Sequence, residues 1–176
     1  RDPVREAIEA LASGKPSAGG PDPALQIVFH GLPQRPGKPM LGALLHRPGN
    51  ADRATPIFGL PGNPVSALVT CTRIVLPVLA AHAGASPGRG RFGLGGAMPV
   101  RISNADDRTL PLWWHRLARW TDEQGEPRVE LLDVRGSGDI VCAGISDGFV
   151  EVPPTSVAGA LPTGWSWFYP WPGAAW

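Results

Sequence analysis

The run Phe58-Gly59-Leu60-Pro61-Gly62-Asn63-Pro64-Val65-Ser66 dictates a strand end, a tight loop and a helix start in quick succession. Ala54 to Leu60 is short, apolar and rich in strand formers, and Pro61-Gly62 is a turn dipeptide that stops it. Asn63 falls where an N-cap belongs and Pro64 at the first helical position, where its missing N–H costs nothing. Val65, Leu68, Val69, Thr72, Val75, Leu76 and Leu79 then recur at three- and four-residue spacing, predicting one buried helical stripe that Gly84 closes. Pro77 inside this pattern predicts a kink or a split, since an interior proline costs ~3 kcal/mol in an unbent helix. A helix that begins hard against a strand aims free N–H groups and a partial positive charge at the notch, which suits an anion. The same residues serve equally as a plain strand-to-helix connection, because capping alone accounts for Asn63 and Pro64.

A chain of 176 residues has room for one ordinary domain or two small ones. Sixteen basic residues against fifteen acidic ones leave a formal charge of +1, so no nucleic-acid tail or membrane-surface patch is expected. The 23 Gly and 21 Pro fall between apolar segments without a repeat, which predicts many short turns. Cys71 and Cys142 lack CxxC or Cys/His ligand spacing and read as free thiols of a reducing compartment. His30, His46, His82 and His115 are isolated in sequence, which disfavours an imidazole metal site. No apolar run is expected to reach membrane-spanning length and no secretory leader is evident, so a soluble cytoplasmic protein is expected. The chain opens at Arg1 without Met, which reads as a fragment or processed form.

Asp2-Pro3 repeats the cap logic ahead of a first helix whose stripe is Val4, Ala7, Ile8 and Leu11. Lys15 to Ala24 is a polar connecting loop and Leu25 to Phe29 a short strand, and the first helix followed by this strand reads as half of a βαβ unit whose opening strand would precede Arg1. In Arg35-Pro36-Gly37-Lys38, Pro-Gly at the centre is a type II turn signature that brings two cations together. Leu41 to His46 and Ala54 to Leu60 are the next strands. If they form a hairpin, the Arg35/Lys38 turn and the Leu60–Asn63 loop share one end, and a phosphate pocket results. Solvated turn cations are the alternative.

A domain boundary is expected in the Gly/Pro/Arg-rich stretch 85–97, between an α/β part at 1–84 and a β-rich part at 98–176. In the latter, five strands with short loops predict a small β-barrel: Met98–Ser103, Leu110–Trp120, Arg128–Val134, Phe149–Val152 and Gly164–Trp171. Ile140 to Ile145 reads as a short helical turn. The tryptophans of these strands are expected to pack rather than to form a stacking platform.

The combination of Arg35-Pro36-Gly37-Lys38-Pro39, Phe58 to Ala67 (FGLPGNPVSA), Gly136-Ser137-Gly138 and Ser146 to Pro153 (SDGFVEVP) resembles molybdopterin molybdenumtransferase, the family of bacterial MoeA and the gephyrin E domain. The resemblance covers nearly the whole chain but only the C-terminal half of a family member. It implies a MoeA-like α/β molybdopterin-binding domain followed by a β-barrel-like domain. The implied activity is insertion of molybdate into adenylylated molybdopterin with release of AMP, aided by Mg2+, in a cytoplasmic homodimer. By the same resemblance Arg35 and Lys38 hold phosphate or pterin, Pro61, Gly62, Asn63, Pro64 and Ser66 form the substrate loop, and Ser137 comes from the final domain. Asp2 corresponds to the family's acidic residue near metal or molybdate, and is the implied catalytic and metal residue. Gly31 stands where the family often carries a basic residue. The fragment alone is expected to be inactive; a scaffold without turnover and an adenylyltransferase-like protein are the other readings.

Overall fold

The computed structural model describes residues 3–12, 24–46, 54–85, 96–123, 125–136, 138–157 and 164–173. Asp2, Ser137 and most of the expected connecting stretches 15–24 and 85–97 lie outside the described residues. The chain packs as two compact units, residues 1–32 with 38–61, and residues 33–37 with 62–176.

In the first unit, α1 (Pro3–Ala12) accompanies an antiparallel sheet of β1 (Ala24–His30), β3 (Leu41–His46) and β4 (Thr55–Gly59), in the order β1-β3-β4. β1 runs antiparallel to β3, with Leu25 opposite Leu45. Ile8 buries against Leu41 and Ala43, flanked by Leu25 and Ile57, whereas Ala7 of the expected stripe is exposed. The expected hairpin forms, with Leu41 opposite Gly59. The chain leading back to Lys38 and the chain leading on to Pro61 therefore leave the sheet at the same end.

In the second unit, nearly all the regular structure beyond one helical rod is β: β2 (Gln34–Arg35), β5 (Met98–Ile102), β6 (Trp113–Glu123), β7 (Glu126–Leu131), β8 (Gly148–Val152) and β9 (Trp165–Pro170), with a short α4 (Ile140–Ile145). Strand order β6-β7-β5-β9-β8 closes on itself through a further β6–β8 pairing, giving the expected five-stranded barrel. Period-two alternation then sorts the side chains. Ala118, Val150 and Phe168 join Val100, Val129 and Leu131 in one fully buried cluster, while their neighbours Leu117, Phe149 and Tyr169 face the other way and meet Val65 and Val69. Burying side chains such as Phe149 and Val69 contributes on the order of 1.5–3 kcal/mol each. Gly148 opens β8 because a β-carbon there would run into the Tyr169 carbonyl and the Phe168 ring. Trp120 packs on the barrel cluster and Trp171 on the outer one, its Nε1–H donating to Ser146 Oγ at 2.9 Å.

The rod is α2 (Pro64–Thr70), a π-helical turn (Cys71–Val75) and α3 (Leu76–His82). Pro77 has no N–H and its ring would meet the Arg73 carbonyl in a regular helix. The wider turn ending at Leu76, whose N–H reaches Cys71 O, relieves both conflicts and is the split expected at this proline. With Val65 and Val69 in the outer cluster, the rod packs with the barrel in the second unit. The expectation about apolar runs is also corrected: Pro64–His82 is 19 residues with mean hydropathy 1.7, long and apolar enough to cross a membrane by composition.

A polar cluster ties rod to barrel. Arg73 Nε donates to Glu151 Oε2 at 2.9 Å, its guanidinium lies 4.9 Å from the Tyr169 ring centroid, and His115 Nε2 sits 3.3 Å from the same carboxylate oxygen. Burial pushes the Glu151 carboxyl up, but hydrogen bonds from His115 and Arg73, with the Arg73 charge, pull it below its ordinary value of 4.5. Its contribution to stability is therefore full above that value and is lost as pH falls through the lower folded one.

Two outcomes are expected. Glu151→Gln lowers stability by about 1–3 kcal/mol at pH 7, a charge-assisted pair lost from a half-exposed partner, and the deficit shrinks below pH ~4.5; urea melts at several pH values check both the size and the trend. Gly37 has φ +96, and a β-carbon on it would lie 2.5 Å from Thr70 Cγ2 and 2.8 Å from Gln34 Nε2. Gly37→Ala should cost about 2–4 kcal/mol through strain and overpacking together, and a melting temperature equal to that of the parent would refute this account of the turn.

Candidate functional site

The site arises from a break in a β ladder. Trp114 pairs with both Arg35 and Val152, and Ala118 with both Leu131 and Gly148. A strand residue has only two sides, so β2 and β7 must share one edge of β6 while β8 occupies the other. Between the last β2 pair at Trp114 and the Leu132 N–H to Leu117 O bond, the shared edge is unfilled at His115 and Arg116. Pro36 is the reason β2 stops: it follows Arg35 and has no N–H to continue the ladder.

An open pocket of about 560 Å3, counting its mouth, occupies this break. Its walls are Arg35 and Pro36 on one side and Leu132, Asp133 and Val134 on the other, with His115 and Arg116 between them and Val65 of α2 alongside. Three arginines, Arg35, Arg108 and Arg116, face a single lining carboxylate, Asp133. Arg35 is exposed and has no ion-pair partner among the described residues. Arg116 is buried, lies 4.6 Å over the Trp114 ring centroid, and holds Asp106 with two parallel bonds of 2.7 and 2.9 Å. Asp106 also accepts from Arg108 Nε at 2.8 Å and from the Arg108 backbone N–H at 3.2 Å. The Arg116 hydrogen bonds hold the Asp106 carboxyl far below the usual carboxylate range; burial opposes them, and the Arg108 hydrogen bonds and the Arg116 charge add to the lowering. His115 gives its Nε2–H to Glu151, since an ionised carboxylate only accepts. Its Nδ1 is buried without a partner among the described residues.

Of the residues singled out in the sequence, Arg35 lines the pocket and so does Gly136, next to Ser137, which is itself outside the described residues. The following Gly138 approaches the helix start: a β-carbon on it would lie 3.7 Å from Asn63 Nδ2. Asn63 caps as expected, its Oδ1 accepting from Ser66 N–H at 3.5 Å and its carbonyl from Ala67 N–H at 2.9 Å. With Pro64 lacking a donor, only Val65 N–H of the first turn has no partner among the described residues, so the notch offers fewer donors than the sequence implied. Gly62 and Pro64 are exposed, whereas Ser66 is buried and does not line the pocket. Lys38 and Pro61 belong to the other unit, so the expected Arg35/Lys38 pair straddles the division between units. Lys38 is exposed, Pro61 is buried, and the Lys38 carbonyl accepts from Leu32 N–H at 2.8 Å. Asp2 lies outside the described residues.

Sequence reasoning missed Arg108, Arg116, His115 and Asp106. Each falls in or beside strands that read as barrel framework, and only the tertiary structure brings Arg108, His115 and Arg116 to one pocket, with Asp106 paired to the two arginines. The described residues do not fit a Mg2+ site: no three His, Cys, Asp or Glu side chains cluster among them, and the pocket donors are mainly guanidinium groups.

Residues 1–81 match the family described as a probable molybdopterin binding domain. The chain is 31% identical over 126 residues to a molybdopterin molybdenumtransferase of Synechocystis sp., covering 71% of this chain and 27% of that protein. Among solved structures it is similar to a molybdopterin biosynthesis moeA protein from Pyrococcus horikosii, with TM-score 0.61 and 23% identity over 95% of this chain and 34% of the other. It is also similar to a molybdenum cofactor biosynthesis protein from Pyrococcus furiosus, with TM-score 0.57 and 19% identity over 82% of this chain and 45% of the other. At these identities the structures show a shared fold, and the chain spans under half of each relative's length. The chain is thus MoeA-like in fold, and its sequence matches tie it to proteins of molybdenum cofactor biosynthesis.

Proposed function

We propose that the pocket beside β6 holds the phosphate-bearing part of a molybdopterin compound, and that the chain serves, within a longer MoeA-like assembly, the insertion of molybdate into adenylylated molybdopterin with release of AMP. The carrying observation is convergence: Arg35 of the RPGKP run and Gly136 of the Gly-Ser-Gly run meet in one pocket where three arginines face a single lining carboxylate. Guanidinium forks suit phosphate oxygens, and a pocket with spare cationic donors and no cluster of bases favours holding an anion over making or breaking bonds. Lys38 is exposed and without an ion-pair partner among the described residues, and its phosphate- or pterin-holding role rests on the family resemblance alone. Homodimerisation, Mg2+ dependence and a cytoplasmic location are further parts of the proposal, supported by the family resemblance.

Binding without turnover is the expected behaviour of the 176-residue chain by itself. Molybdate and the nucleotide-bearing pterin must share one geometry, and small misplacements cost orders of magnitude in rate. Incubation with adenylylated molybdopterin and molybdate should release no AMP, and measurable release would refute the assignment of a binding role to this chain alone. In titrations with AMP, Arg35→Ala is expected to weaken binding by ~1.5–3 kcal/mol, the scale of a charged hydrogen bond. Its melting temperature should move little, as for most surface changes. AMP affinity that is unchanged in Arg35→Ala would remove Arg35 from the site.

A further inference from the structure

The most unusual feature of the pocket is that two of its arginines converge on one carboxylate that does not line it. Asp106 lies on the irregular segment between β5 and β6, which is fastened on both sides. The Asn104 side-chain amide accepts from Leu131 N–H at 2.8 Å and donates to Leu131 O at 3.0 Å, and Leu110 O accepts from Thr155 N–H at 3.1 Å. From this fixed segment the Asp106 carboxylate takes Arg116 end-on through Nη1 and Nη2, and takes Arg108 through Nε, Nη2 and the backbone N–H. A guanidinium has five N–H donors, so the end-on pair leaves three on Arg116. The Trp114 ring lies against it, 4.6 Å from guanidinium carbon to ring centroid, and restricts its movement. Two arginines and one carboxylate sum to a charge of +1, so the cluster stays cationic while both side chains lose their freedom to swing into solvent.

We propose that Asp106 is a positioning residue for anion recognition: it gathers Arg116 and Arg108 at the pocket wall so that their spare donors meet a phosphate-type oxyanion in fixed array. The inference rests on the anion-pocket reading and goes beyond it by assigning a role to an acidic residue outside the pocket. It makes a prediction opposite in sign to simple charge counting. Removing a negative charge beside a cationic pocket strengthens anion binding if Asp106 only neutralises, because the local charge rises by one. It weakens binding if Asp106 positions, because two guanidinium groups must then be ordered by the ligand itself.

The test uses inorganic phosphate as the probe, titrated into the 176-residue chain at constant ionic strength while NMR follows the Trp114 indole N–H and the Arg35 amide. The expected result is saturable binding by the parent chain and roughly tenfold weaker binding by Asp106→Asn, the loss of about one charge-assisted contact. Arg108→Gln is expected to show a comparable loss. Arg108 is 58% exposed, so this variant keeps the test open if Asp106→Asn unfolds. Equal or tighter phosphate binding by Asp106→Asn, or unchanged binding by Arg108→Gln, overturns the positioning role while leaving the pocket intact. A parent chain that fails to saturate, or whose shifts chloride reproduces, overturns the anion pocket itself and the role of Asp106 with it.

Discussion

The second unit depends on one strand having more partners than its edges can hold in full. Strand β6 pairs with β8 along one side from Trp114 to Ala118, and its other side is divided between two residues of β2 and six of β7. The β8 pairing closes the barrel, and the divided side leaves the opening in which the pocket lies. Asp147 secures the residue where the strand changes partners: its carboxylate accepts from Trp120 N–H at 2.7 Å and its backbone N–H donates to Ala118 O at 3.0 Å. Ladder groups left without strand partners must find others, and here they meet side chains or open space.

The two faces of β6 then carry different work. Leu117 and His115 point toward the helical rod, where Val65, Val69 and Arg73 meet Phe149, Tyr169 and Glu151. Trp114 and Arg116 share the face of Ala118, which is the barrel's interior side. A buried arginine at that position is tolerable only because its charge is balanced by Asp106 and its flat face is covered by Trp114. The same residues that satisfy Arg116 also fix where its remaining donors point. Stability and recognition are therefore coupled at this side chain.

The rod shows how a local conflict is absorbed without loss of packing. Placing Pro77 in a continuous helix would break it, yet the π turn at Cys71–Val75 lets Val65 and Val69 before it and Val75 within it stay buried. The added residue of that turn also brings Arg73 to Glu151. The buried Thr72 hydroxyl has no partner among the described residues, a local cost of the same rearrangement.

The sequence by itself determined the elements: the Asn63-Pro64 helix start, the conflict at Pro77, the hairpin of Leu41–His46 with Thr55–Gly59, and the barrel strands with their turns. These follow from local rules of capping, ring sterics and period-two burial, which act over a few residues and leave a mark in composition. Family resemblance was legible for the same reason, since its motifs are turns whose residues are fixed by backbone shape. Only the tertiary structure decided that the rod packs with the barrel, that β1 runs antiparallel, and that Arg35, Arg108 and Arg116 border one pocket. Arg116 is 81 positions beyond Arg35 in the chain, and nothing local distinguishes it from any other strand arginine. Its role arises because strand pairing is a contest among distant segments for a limited set of backbone hydrogen bonds, and the outcome depends on all of them at once.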